Sequence, residues 1–217
     1  MVFSKSVTFD EDDLGRTAVA AHSATGHMTE DRGFIEKLKE GDAGAFGTLI
    51  DRYSSDIYAL LYRLTANAED ASDLTQDTFL SALRFIRKFR GDAELKTWLF
   101  RIAINESRNR FRWWNRRKRG LTISIDATIG DSETTMSDML ADKSQSPEDA
   151  ALAREREYAL KAALLDLPDI FREAVVLCDI EGLSYEETSV ALGVGLGTVK
   201  SRISRGREEL RRRLKDF

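Results

Sequence analysis

The sequence is poor in residues that staple, ligate or catalyse. Cys178 is the only cysteine among 217 residues. That excludes a disulfide framework and a cysteine-built zinc site, and fits a reducing, intracellular setting. It lies in the apolar run Ala174–Cys178 and reads as a small buried hydrophobe. The two histidines, His22 and His27, sit among small and polar residues without a supporting carboxylate cluster, a poor setting for metal binding or acid–base chemistry. No apolar run approaches the ~18–20 residues of a membrane span. The N-terminus lacks the basic start and apolar stretch of a signal peptide. The expectation is a cytoplasmic protein with no direct membrane insertion, no metal and no cofactor. There is no phosphate-binding glycine loop and no clustered nucleophile, which argues against an enzyme.

What is present is charge, and it is segregated. Charged residues make up 32% of the chain and the net charge is only -4, so the distribution is more informative than the sum. Residues 1–28 read as a flexible tail, with the acidic run Asp10–Asp13 and no sustained periodicity. Residues 29–119 carry apolar stripes at helical spacing. One runs Phe46, Leu49, Ile50, Tyr53, Ile57, Leu60, Leu61, Leu64; another Leu74, Phe79, Leu80, Leu83, Ile86, Phe89; a third Trp98, Leu99, Ile102, Ala103, Ile104. Asn67 with Asp70 resembles a helix N-cap pair. Residues 120–150 are acidic and rich in Ser and Thr, with Lys143 as the only base. Such a stretch predicts an extended linker and therefore two domains. Helical patterning returns in 151–217, with Pro168 suited to a first helical turn. The fold class expected is all-α: two small helical domains joined by a flexible acidic linker, the second a helix-turn-helix.

The helix-turn-helix is read from Ser184 to Ser204. Ser184 and Glu187 form a capping box for a short helix reaching Leu192. Gly193 to Gly197 makes a tight connection, and Ala191 and Leu192 face Val199 and Ile203 across it. Between Lys200 and Lys215 there are eight basic residues against Glu208 and Glu209. Lys200, Arg202 and Arg205 are favoured DNA contacts on a helix that fits the major groove. Arg211, Arg212 and Arg213 equally fit a role of complementing the helix dipole.

A second basic stretch, Arg101–Arg119, has only Glu106 opposing its charge, with Phe111, Trp113 and Trp114 interleaved. Charge draws the nucleic-acid backbone and rings stack on bases. Asn105 shares a helix face with Arg101. Trp98 fits core packing as well as a place beside an extruded base, and Trp113 and Trp114 could equally close the bundle. Asp70, Asp73 and Asp77, with Gln76, fall on one helix face, either a solvated surface or a dock for a basic partner.

Together these segments resemble the extracytoplasmic-function (ECF) sigma factors, the minimal members of the sigma-70 family. Ala68–Phe79 resembles their region 2.2 and Trp98–Asn105 their region 2.3/2.4. Leu167–Leu177, Gly182–Glu187 and Gly197–Arg207 resemble region 4, a winged-helix-like helix-turn-helix. The resemblance implies a subunit that directs bacterial RNA polymerase to promoters, controlled by an anti-sigma factor. The alternative reading is a helix-turn-helix regulator acting independently of polymerase. Asp73, Gln76, Asp77 and Phe79 would dock on the clamp helices of the largest subunit, and the flap region would be a further contact. Phe89, Arg90, Lys96, Trp98, Arg101, Asn105 and Arg108 would read or support the -10 element. Lys200, Ser201, Arg202, Ser204, Arg205 and Arg207 would meet the -35 element. The linker would thread toward the RNA exit path. Thr188 and Ser189, and the glycine-rich turn Gly193–Gly195, depart from the family's usual residues.

Overall fold

The computed structural model describes residues 28–120 and 147–215. The tail before residue 28 and most of the acidic linker lie outside the described residues, as do His22 and His27. Every regular element described is helical: α1 (Met28–Glu40), α2 (Ala43–Thr65), α3 (Ala68–Phe85), a 3₁₀ turn (Ile86–Lys88), α4 (Leu95–Gly120), α5 (Pro147–Leu165), α6 (Asp169–Val175), α7 (Tyr185–Leu192) and α8 (Leu196–Arg213). Among the described residues there is no strand, so the C-terminal half is a helix-turn-helix without a wing there.

Local chemistry sets the helix ends. Asp42 caps α2 by accepting from the Ala45 amide at 2.6 Å, and Asn67 caps α3 by accepting from the Asp70 amide at 2.9 Å. Such caps are each worth about 1 kcal/mol. At α7 both halves of the capping box form: Ser184 Oγ accepts from the Glu187 amide at 3.1 Å, and Glu187 Oε2 accepts from the Ser184 amide at 2.8 Å. Gly193 closes α7 in the left-handed region, at φ 66°, which only glycine enters without a steric penalty.

Helix α5 begins at Pro147, earlier than the linker reading placed it. The proline lacks the amide that a first turn would leave unpaired. Pro168 stands one residue before α6, as its N-cap. Beyond Val175 the helix widens into a π turn over Val176–Ile180, closed by the Glu181 amide donating to Val176 O at 2.9 Å.

The two halves are not held apart. Leu49, Ile57, Leu60, Leu99 and Ile104 from the first half, and Leu167, Val176, Ala191 and Val199 from the second, belong to one continuous apolar core. Arg172, 8% exposed, knits them. Its guanidinium donates to Leu64 O at the end of α2 (2.7 Å), to Leu165 O and Leu167 O (both 2.9 Å), and to Asp169 (3.0 Å). Helix ends leave carbonyls without intrahelical donors, and Arg172 satisfies those of α2 and α5 together. Arg63 of α2 donates to Glu181 just beyond the π turn at 2.6 Å. Lys161 of α5 bonds the Tyr62 hydroxyl and lies 4.5 Å above its ring.

Candidate nucleic-acid interface

Helix α8 presents its basic side outward. Val199 and Ile203, 0% and 1% exposed, anchor it against the body, and at helical spacing this turns Lys200, Ser201, Ser204, Arg205 and Arg207 to the surface, with Arg202 half-buried. Two of these have intramolecular partners. Ser201 Oγ donates to Thr198 O at 2.9 Å, within its own helix. Arg207 forks onto Asp179 of the π turn, at 3.0 and 2.5 Å. That pairing strengthens the guanidinium's hold on its proton and fixes the helix to its neighbour. The last turn is also partly paired, Arg213 with Asp166 at 2.9 Å and with Glu209 at 3.0 Å.

Helix α4 is the second basic element, and its first turns are interior. Trp98 is 5% exposed and packs on Phe89, itself 4% exposed, with ring centroids 5.2 Å apart. Of the two places open to Trp98, the structure gives it the core. Phe89 and Trp98 therefore shape the -10 candidate surface from beneath; their rings do not stand out to meet a strand, because both belong to the buried core. Lys96 pairs with Asp56 at 2.7 Å and lies 5.4 Å above the Phe100 ring. Arg101 is 3% exposed and its Nη1 donates to Val190 O at 3.4 Å. Arg108 forks onto Glu173, Nε to Oε1 at 2.8 Å and Nη2 to Oε2 at 2.5 Å, and Nη1 reaches Leu192 O at 3.4 Å. Arg90 is exposed. Asn105 is half-buried at the lip of a groove of about 390 Å³ between α4 and α6. Further along α4, Phe111, Trp113 and Trp114 are 41%, 49% and 51% exposed. The tryptophans thus lie on the surface and do not close the bundle.

The acidic face of α3 is where the spacing placed it. Asp73, Gln76 and Asp77 are exposed. Phe79 is 7% exposed and belongs to the core. It is not a docking contact, because two residues beyond Asp77 a helix has turned about 200° away. The apolar residue on that face is Leu80, which stands four residues after Gln76 and seven after Asp73. Leu80 and Leu83 are 44% and 49% exposed, although the apolar stripe had put both in the core. The signal was present in the sequence, as leucines whose register falls among carboxylates. Arg110 of α4 reaches this face, pairing with Asp70 at 2.8 Å and Asp73 at 3.1 Å. Beneath it, Ser81 donates to Glu106 of α4 at 2.6 Å. Burial pushes the Glu106 carboxyl up; the Ser81 bond pulls it down, the charge of Asp77 raises it and Arg84 lowers it.

The remaining candidates are quiet. The Cys178 thiol is half-buried and shifted up by that burial and by the adjacent Asp179 charge, so it holds its proton. Among the described residues no helix is long and apolar enough to cross a membrane.

Comparison with known proteins fits this geometry. Residues 49–117 match the family description "Sigma-70 region 2", and residues 158–210 match "Sigma-70, region 4". The chain is 38% identical over 185 residues to the ECF RNA polymerase sigma factor SigW of Bacillus subtilis (strain 168), covering 84% of this chain and 96% of that one. Among solved structures it resembles CnrH in complex with the cytosolic domain of CnrY, with a TM-score of 0.60, 25% identity, and 86% and 97% of the two chains covered. It also resembles the sigma factor RpoE in complex with the anti-sigma factor NepR from Bartonella quintana, with a TM-score of 0.57, 28% identity, and 78% and 96% covered.

Proposed function

Because the chain belongs to the sigma-70 family, in its extracytoplasmic-function group, we propose a division of labour among three of its surfaces. The protein is an RNA polymerase sigma factor, and its partners are core polymerase and promoter DNA. Within that role α8 meets the -35 element. Lys200, Ser204 and Arg205 project from it, and a helix of this width fits the major groove. Ser201, Arg202 and Arg207 flank them; Arg207, committed to Asp179, sets the angle of α8 more than it reads bases. Arg90 and Asn105, carried on the Phe89–Trp98 platform, read the -10 element, with Lys96, Arg101 and Arg108 behind them. Asp73, Gln76, Asp77, Leu80 and Leu83 form the polymerase dock, a carboxylate rim around exposed leucines. The division into an N-terminal unit of about 29–119 and a C-terminal unit of about 151–217 follows these surfaces.

The observation that carries this reading is the basic face of α8, where Lys200, Ser204 and Arg205 are exposed while Val199 and Ile203 on the opposite side are buried. Phosphoryl transfer belongs to the polymerase, so the chain supplies specificity and strand opening with no chemical step and no cofactor of its own. Its working place is the cytoplasm, beside the polymerase. An anti-sigma factor controls it; the similar chain RpoE is in complex with the anti-sigma factor NepR, and the similar chain CnrH is in complex with the cytosolic domain of CnrY. The groove between α4 and α6, with Phe111 and Ile170 at its rim, suits the apolar side of such a partner.

Reconstituted transcription tests the reading. Purified bacterial core polymerase and a genomic promoter pool should yield defined RNA start sites only when this protein is added. Tight duplex binding without any polymerase-dependent start site would instead favour an independent helix-turn-helix regulator and overturn the assignment.

A further inference from the structure

We propose that Asp179, in the π turn between α6 and α7, is a positioning residue for -35 recognition: through Arg207 it fixes the rotation of α8 about its own axis, and so decides which bases Lys200 and Ser204 reach. This rests on the sigma reading above and gives a role to a residue outside its three surfaces.

The buried line of α8 is Val199, Ile203 and Gly206, two branched aliphatic side chains and one bare backbone position. Apolar burial is non-directional, so that line holds α8 to the body without fixing its roll. The fork onto Asp179 is directional. Arg207 Nε donates to Oδ2 at 3.0 Å and Nη2 to Oδ1 at 2.5 Å, a planar pairing that sets orientation as well as position. Its place on the helix suits that task. Arg207 follows Gly206, where α8 crosses close to α6. It stands three residues after Ser204 and seven after Lys200, so the three share one face. A side chain that reaches about 6 Å from the helix axis moves about 1 Å for every 10° of roll. A binding group has to be held within about 0.5 Å of its productive place.

The other end of the fork is anchored. Val176 and Leu177, both 0% exposed, pin the π turn. So do two backbone bonds, the Glu181 amide to Val176 O at 2.9 Å and the Leu183 amide to Leu177 O at 3.0 Å. Such widened turns are rare and recur at functional sites. Asp179 first, and Tyr185 after it, strengthen the hold of Arg207 on its proton against the effect of burial. A lone carboxylate at the edge of a DNA-reading face would repel phosphates. Paired with Arg207 its charge is cancelled, and an arginine so occupied is not free for a phosphate.

The experiment uses holoenzyme reconstituted from the full chain and bacterial core polymerase. Start-site yields are measured on a promoter library varied separately at the -35 and -10 elements. Asp179→Asn should reduce the ratio of yields between matched and mismatched -35 elements on the order of fivefold. Its -10 ratio should equal that of the natural chain, which a misfolded variant could not achieve. Arg207→Gln should lower the -35 ratio to the same extent, and the double variant should go no lower. The second measurement is the salt dependence of holoenzyme binding to one matched promoter. A phosphate contact contributes about one unit to the log–log slope. A positioning arginine contributes none, so Arg207→Gln should leave the slope unchanged. The positioning role is overturned by a -35 ratio that Asp179→Asn leaves intact, by equal losses at both elements, or by a slope that Arg207→Gln flattens by about one unit. None of those results touches the sigma reading, which the natural chain alone decides: without start sites from core polymerase that reading falls, and the role of Asp179 with it.

Discussion

Gly206 of α8 crosses α6 so closely that a β-carbon placed on it would lie 2.6 Å from Cγ2 of Val175 and 3.4 Å from Phe171 O. Val175 is 2% exposed and β-branched, so its methyl has nowhere to swing. The glycine is therefore a contact surface that lets the -35 helix seat against the body. Gly206→Ala should destabilise the fold by about 1–3 kcal/mol through overpacking, less the roughly 1 kcal/mol that alanine gains in a helix interior. Urea denaturation reads the loss, and Val175→Ala on the same chain should recover most of it. An unchanged midpoint would mean that the α6–α8 crossing has room for a methyl group at this position.

Thr188 is a stabilising substitution in waiting. It is fully buried and its hydroxyl has no hydrogen-bond partner among the described residues. An unmatched buried hydroxyl costs about 1–3 kcal/mol, and an apolar group of the same shape avoids that cost. Thr188→Val should raise the thermal midpoint, corresponding to about 1 kcal/mol. A fall in the midpoint would show that the hydroxyl is satisfied.

Two carboxylates oppose the usual trend with pH. Burial raises the Glu106 carboxyl above its ordinary value, and Glu181 is raised likewise by burial, with Arg63 acting in the opposite sense. A carboxyl whose folded value lies above its unfolded one binds its proton more readily when folded. Its contribution to stability therefore grows as pH falls from neutral through the raised value toward the ordinary one, where it levels off. The difference in stability between the natural chain and Glu106→Gln should shift in that sense over that window. A difference that is flat with pH removes the claim.

The α3 dock separates surface from core at neighbouring positions. Leu80→Asp should weaken binding to core polymerase while leaving the melting temperature within about 2 °C, as exposed substitutions do. Phe79→Ala should instead cost about 3–5 kcal/mol of stability by opening a cavity. Equal loss of stability in both would place Leu80 in the core after all.

Base reading divides between the two DNA elements. Arg205→Ala should cost about 1–3 kcal/mol of discrimination at one upstream position, and Asn105→Ala should act only on -10 variants. Start-site yields across a promoter library measure both. A uniform loss on every promoter would reduce either residue to a backbone contact.

Much of this was legible in the chain itself, because it is decided within a few residues. The caps at Asn67 and Ser184, the left-handed Gly193 and the anchors Val199 and Ile203 depend on local hydrogen bonds and a 3.6-residue period, and each lies where the pattern put it. Charge segregation could be read the same way, since a helix that carries seven basic residues and commits its apolar side to the body turns most of them outward. What each charge does was not legible. Arg101 and Arg207 look alike in sequence, yet one is buried under Val190 and the other is locked to Asp179. Phe79 and Leu80 are adjacent apolar residues, and only the packing of α3 against α2 and α4 decides that the ring is core and the leucine surface. Nor does the acidic tether reveal that the halves share one core; that depends on Arg172 finding carbonyls of α2 more than a hundred residues away, a contact between helix ends that no local periodicity encodes.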